Sequence, residues 1–129
     1  MNELEASFVG LEEEGCLSFV TARVDDCNFY ILMLEAKALL EKANKIKLLF
    51  NENELLLFRN GELSSAENVF KAQVIDIKKG KILWQVFLSF NKHSLSAVVS
   101  AKQGILLDLK KDMQVSCHLK ASDIMLKVV

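Results

Sequence analysis

Lys120-Ala121-Ser122 sets a cation, a small residue and a hydroxyl side by side in a polar break. Apolar runs with strand character, residues 113–119 and 124–129, flank the break. Lys120 supplies positive charge and Ser122 an O–H donor, while the short side chain of Ala121 leaves backbone N–H groups open to close approach. Together these hold a small oxyanion at a strand corner without any metal. Taken alone, the same residues also describe an ordinary polar β-turn.

The other chemistry-bearing residues form no comparable set. His93 and His118 lie about 25 residues apart in a sequence that shows no nucleophile or carboxylate partner arrangement for them, so no enzyme is expected. His118 follows Cys117, but neighbours on a strand point to opposite faces and cannot share a metal. The expectation is a surface histidine beside a core cysteine. Cys16, Cys27 and Cys117 are odd in number and lack CxxC spacing, which fits reduced, mostly buried thiols. No P-loop and no helix-turn-helix is present.

The chain has 129 residues, no proline and a formal net charge of −1. It is long enough to bury a core, carries no apolar run of membrane-spanning length, and is too weakly charged for a dedicated nucleic-acid binder. The acidic start Met1-Asn2-Glu3-Leu4-Glu5 argues against a secretory or organelle leader and for a cytoplasmic protein. Charge is unevenly spread. Residues 1–64 hold six Lys/Arg against twelve Asp/Glu, and residues 65–129 hold ten against five. The basic second half is the expected anion-facing surface.

The elements that must position Lys120 are mostly strands. Strands are predicted over residues 4–11, 16–24, 27–34, 46–50 and 54–58, with turns at 12–15 and at Asp25-Asp26 and a short helix over 35–43. The order then recurs: strands over 69–77, 81–90 and 94–99, a helical stretch over 100–109 broken by Gly104, and strands over 114–119 and 124–129. At a spacing of about 65 residues Ala6 falls on Ala72, Phe8 on Val74, Leu11 on Ile77 and, after a gap, Gly15 on Gly80. The fold class is therefore all-β: two tandem OB-like five-stranded β-barrel modules, each with one short helix. Module one spans residues 1–61, a connector and entry motif 62–68, and module two 69–129. Trp84, Val86, Leu88 and Phe90 form one face of the long strand and the expected barrel core. The opposite face, Leu83 and Phe87, is apolar and expected to be covered by the sister module or another chain. On the strand before Lys120, residues Gln114, Ser116, His118 and Lys120 make the polar face.

Lys120-Ala121-Ser122-Asp123-Ile124-Met125 closely resembles the Lys-Ala-Ser-Asp/Glu-Val-Met signature that ends a Mop module. Mop modules belong to the molybdenum-pterin-binding proteins, within the wider TOBE family. Ser65-Ala66-Glu67-Asn68-Val69-Phe70-Lys71 is similar to the family's Ser-Ala-Arg-Asn-x-Phe-Lys entry, and Ser96-Ala97-Val98-Val99-Ser100 to its Thr-Ser-x-Ile-Thr/Ser segment. The resemblance implies small β-barrel modules that assemble through their strands and hold molybdate or tungstate at interfaces, through hydroxyls, backbone amides and a Lys, with no metal coordinated directly. By carry-over the oxyanion-binding residues are Lys120, Ala121, Ser122 and Ser65, with Ser96 and Ser100 approaching from the partner module.

Two departures stand out. Glu67 replaces the family's Arg, so that part of the site is altered or Glu67 points away. In the first module Asn51-Glu52-Asn53-Glu54-Leu55 replaces the Lys-Ala-Ser signature, and no entry motif precedes Leu4. The resemblance thus implies a molybdate/tungstate-binding protein for molybdenum storage or homeostasis, with neither nucleic acid nor membrane as partner. A homo-oligomer is expected, a trimer first and a dimer second. The other reading is a regulatory or scaffold oligomerisation module with a decayed anion site, assembling through the Leu83/Phe87 face.

Overall fold

The computed structural model describes every residue except 44 and 62, so the first residue of the expected connector lies outside the described residues. Ten strands and two short helices follow one another as β1 (Asn2–Glu14), β2 (Leu17–Val24), β3 (Cys27–Leu34), α1 (Ala36–Leu40), β4 (Lys45–Phe50), β5 (Leu56–Phe58), β6 (Asn68–Lys79), β7 (Leu83–Phe90), β8 (His93–Ser100), α2 (Ala101–Leu106), β9 (Gln114–Leu119) and β10 (Met125–Val128). The mainly β composition follows from alternation. In β7 the buried residues are Trp84, Val86, Leu88 and Phe90, and the intervening ones reach solvent, as a pleated half-buried strand requires.

Two five-stranded antiparallel sheets result, ordered β10-β4-β1-β2-β3 and β5-β9-β6-β7-β8. Residues 1–61 and 69–129 do not map one to one onto them. Leu56, Leu57 and Phe58 pair with His118, Cys117 and Ser116 of β9, while Met125 to Val128 pair with Leu49 to Ile46 of β4. Each sheet therefore takes its outermost strand on one side from the other half of the chain. A shared core follows: Phe29 of the first sheet lies 5.4 Å from Phe70 and 5.9 Å from Phe90 of the second, ring centre to ring centre. Aromatic contacts at these spacings add to the area they bury.

The 65-residue recurrence is visible in backbone irregularities. One β-bulge falls between Phe8 and Gly10 on β1 and another between Val74 and Asp76 on β6, the positions that overlay in the sequence.

Several expectations need correction. β1 continues through Glu12-Glu13-Glu14, and the turn itself is Gly15-Cys16, where the Gly15 φ of +59° suits glycine. Likewise β6 continues through Lys78 and Lys79. Gly104 does not break its helix but lies within α2, because the ring of Trp84 packs against its backbone. A Cβ there would sit 2.2 Å from Trp84 Cε3. The Leu83/Phe87 face is not covered by the other half: Leu83 is 57% and Phe87 36% exposed. Of the cysteines, only Cys117 is buried; Cys27 is partly exposed and Cys16 exposed. No helix among the described residues is long and apolar enough to cross a membrane.

Candidate functional site

Lys120 follows directly from β9. Its own backbone is extended, and Ala121–Asp123 then close one turn of 3-10 helix before Ile124 restores the extended path. The Asp123 N–H donates to the Lys120 carbonyl at 3.0 Å, which closes the turn. Ala121 and Ile124 are buried and anchor the corner from below, leaving the Lys120 and Ser122 side chains exposed. The turn packs against β3 of the other sheet.

Glu67 points into this corner. Its Oε1 accepts the backbone N–H of Ala121 at 2.9 Å, in a partly buried hydrogen bond. Glu67 does not point away: its carboxylate holds the amide that the resemblance expects to face an anion. Asp123 is also in the cluster. Burial first, then a hydrogen bond and the charge of Glu54, raise its carboxyl above the ordinary range. Lys120 opposes that rise and Glu67 adds to it. Asp123 thus feels two carboxylates and one cation.

Glu54 comes from the corresponding corner of the first half. There the Glu54 N–H donates to the Asn51 carbonyl at 3.2 Å, repeating the turn at Lys120, and Leu55 is buried as Ile124 is. The corner keeps the shape and has neither lysine nor hydroxyl. Asn51 Nδ2 donates to Glu54 Oε1 at 2.8 Å.

The remaining site candidates lie apart from Lys120. Ser65 is exposed, two residues before Glu67. Ser96 belongs with the Asn51–Glu54 corner: two residues on, the Val98 N–H donates to the Glu52 carbonyl at 3.0 Å. The Met1 amino group first, and Ser96 more weakly, hold the Glu52 carboxylate below its ordinary range. Ser100 Oγ caps α2 by accepting the Gln103 N–H at 3.1 Å. Among the described residues no hydrogen bond joins Ser96 or Ser100 to Lys120, Ala121 or Ser122.

Two asparagines have roles that the motif does not state: Asn68, within the entry motif, and Asn2. Asn68 Oδ1 accepts the Tyr30 N–H at 2.7 Å while its Nδ2 donates to the Tyr30 carbonyl at 3.0 Å. Asn2 does the same for Ser96, at 2.8 and 2.9 Å. Both are buried, at 2% and 5% exposure. Tyr30 lies on β3 and Ser96 on β8, each the last strand of its sheet, so a side chain from the opposite half satisfies an edge that pairing leaves open. The overlay of Ala6 on Ala72 already sets Asn2 on Asn68, and that was the available signal. Asn2 thus holds the position of Asn68 in the first half.

His118 is fully buried, against the expectation of a surface residue. β5 pairs alongside β9, and the Phe58 ring packs 4.0 Å from the imidazole, centre to centre. One hydroxyl meets each ring nitrogen: Ser64 Oγ at 2.8 Å from Nδ1 and Ser116 Oγ at 3.4 Å from Nε2. Desolvation holds the imidazole pKa below its ordinary value. No group of three or more His, Cys, Asp or Glu suited to a metal ion occurs among the described residues. The donors at Lys120–Ser122 are those an oxyanion uses.

Comparison with known proteins bears on the same region. The family model of the TOBE domain matches residues 64–126, from the entry motif to the Lys120 corner. No curated protein sequence matches the chain. Among solved structures, the cytoplasmic molybdate-binding protein ModG, in a PEG-grown form with molybdate bound, matches with a TM-score of 0.92. That match covers 99% of this chain and 96% of the other at 21% identity, a likeness that establishes the fold as OB-like and mostly β. Over residues 64–126, just under half of its length, the chain is similar to the TOBE domain family.

Proposed function

We propose that this chain binds molybdate or tungstate as a cytoplasmic store or homeostatic buffer, at sites completed between modules or subunits. The observation that carries the reading is the likeness, over nearly the whole of both chains, to a protein described as molybdate-binding. In this reading residues 1–61 and 69–129 are tandem OB-like modules that exchange β5 and β10, and residues 62–68 are the connector and entry motif. Lys120, Ala121 and Ser122 make one side of the site, with Ser65 contributed from the entry motif. Ser96 and Ser100 come from a neighbouring module.

The charges favour a shared site. A dianion leaves water only when donors and positive charge replace its hydration. Lys120 alone, in a corner where Glu67 holds the Ala121 N–H and Asp123 closes the turn, does not supply that within one chain. A neighbouring copy's basic second half would. Sites of this kind couple binding to assembly, and a trimer or dimer follows. Equilibrium dialysis against molybdate tests the reading. Uptake by the wild type that falls at least about tenfold in Lys120→Ala, the loss of one charge-assisted contact, is expected. Stoichiometric uptake indifferent to Lys120 and Ser122 would reject this site. Light scattering with and without molybdate reads the coupled assembly.

The second reading, a scaffold or regulatory module whose anion site has decayed, is favoured by the hydrogen bond from Ala121 to Glu67 and by the uncovered Leu83/Phe87 face. It predicts no heat of binding with molybdate, tungstate or sulfate.

A further inference from the structure

We propose that Glu67 is a built-in competitor: its carboxylate occupies the Ala121 amide, and an oxyanion binds at Lys120–Ser122 only by displacing it. The inference rests on the oxyanion-binding reading above and adds to it the residue that sets the affinity. Three observations support it. Glu67 Oε1 accepts the Ala121 N–H at 2.9 Å in a partly buried position, a good length for a charge-assisted bond. Ala121 is itself fully buried and its turn is pinned by the 3.0 Å bond from Asp123 to Lys120, so the amide cannot turn toward another acceptor. Glu67 also directly precedes Asn68, whose two bonds to Tyr30 fix the backbone from which the carboxylate reaches.

The carboxylate offers the amide what an oxyanion would offer it, a negatively charged oxygen. It also repels any dianion drawn to Lys120. Binding must therefore break one charge-assisted hydrogen bond and turn Glu67 outward, where its charge is screened. The consequence is a raised threshold: the site fills only at oxyanion concentrations that outcompete a tethered carboxylate. Replacing Glu67 by the isosteric neutral amide removes the repulsion and weakens the internal bond.

The test is calorimetric titration of the intact chain with sodium molybdate, for wild type, Glu67→Gln and Glu67→Ala. Proton–nitrogen spectra report the Ala121 amide and the fold. Glu67→Gln is expected to bind about tenfold tighter than wild type or more, the worth of one charge-assisted hydrogen bond. Its Ala121 amide signal should shift on molybdate addition. Binding by Glu67→Gln where wild type shows none supports the inference equally. If wild type binds and both variants, natively folded, bind no tighter, the competitor role is overturned and the oxyanion reading stands. If neither wild type nor any folded variant binds, both fall. Should Glu67→Ala unfold, the isosteric Gln variant decides.

Discussion

Asn68→Ala should be among the most damaging single changes outside the apolar core. The side chain makes two hydrogen bonds to Tyr30, at 2.7 and 3.0 Å, and is 2% exposed. Truncation removes both bonds and leaves the Tyr30 N–H and C=O without partners on the outer edge of β3. Each net hydrogen bond is worth about 1 kcal/mol, and each buried group left unpaired costs about 1–3 kcal/mol. Water reaches part of this edge, so a total of roughly 2–4 kcal/mol is expected. Unfolding entropy per residue makes 1 kcal/mol about 4 °C for a chain of this length, so melting should fall by roughly 8–16 °C. Calorimetry reads the shift, and hydrogen exchange reads its origin, since the Tyr30 amide should lose protection before the rest of β3. Asn2→Ala should lie in the same range and expose the Ser96 amide instead. A melting point within about 2 °C of wild type, with Tyr30 still protected, would refute the reasoning.

Other outcomes follow from buried titratable groups. His118 has its folded pKa depressed below the ordinary 6.5, so the unfolded chain binds its proton first. Its contribution is complete above 6.5 and is lost as pH falls from there through the folded value. Asp123, raised, acts in the opposite sense, gaining stability as it protonates. Urea midpoints at pH 7 and pH 5 for wild type and His118→Gln isolate the histidine: the wild type should lose more across that interval, and equal losses would refute the assignment. Burial pushes the Cys117 thiol up to about 12, so in the native state a thiol reagent at neutral pH should label Cys16 readily and Cys117 only after unfolding. Native labelling of Cys117 at the rate of Cys16 would contradict its burial.

Much of the architecture was legible because strands advertise themselves by alternation. The bounds of β3 and β9 coincide with the predicted 27–34 and 114–119. The long core strand was recognisable from Trp84, Val86, Leu88 and Phe90. Strand partners were not legible. β5 and β10 are three and four residues long, and nothing in Leu56-Leu57-Phe58 says that its partner is β9 rather than β4. That one ambiguity bears on His118, since the face of β9 is polar by sequence, while the Phe58 ring of the neighbouring strand β5 packs on the imidazole and Ser64 meets its Nδ1. The Lys120–Ser122 corner was recognisable from its residue types. The hold of Glu67 on Ala121 was not, because residue type states a charge and not a direction.

The exchange of β5 and β10 bears on how the chain reaches its native state. Leu49 must wait for Met125, more than half the chain further on, before the outer edge of β4 is paired. Until then the first sheet has an open, apolar rim containing Ile46 and Leu48, a template for pairing with another molecule. Contacts of such separation slow folding, because a long loop must close before they form. The same reciprocity denies either half an independent life: severing the chain near residue 61 would leave each fragment short of a strand that only the other carries.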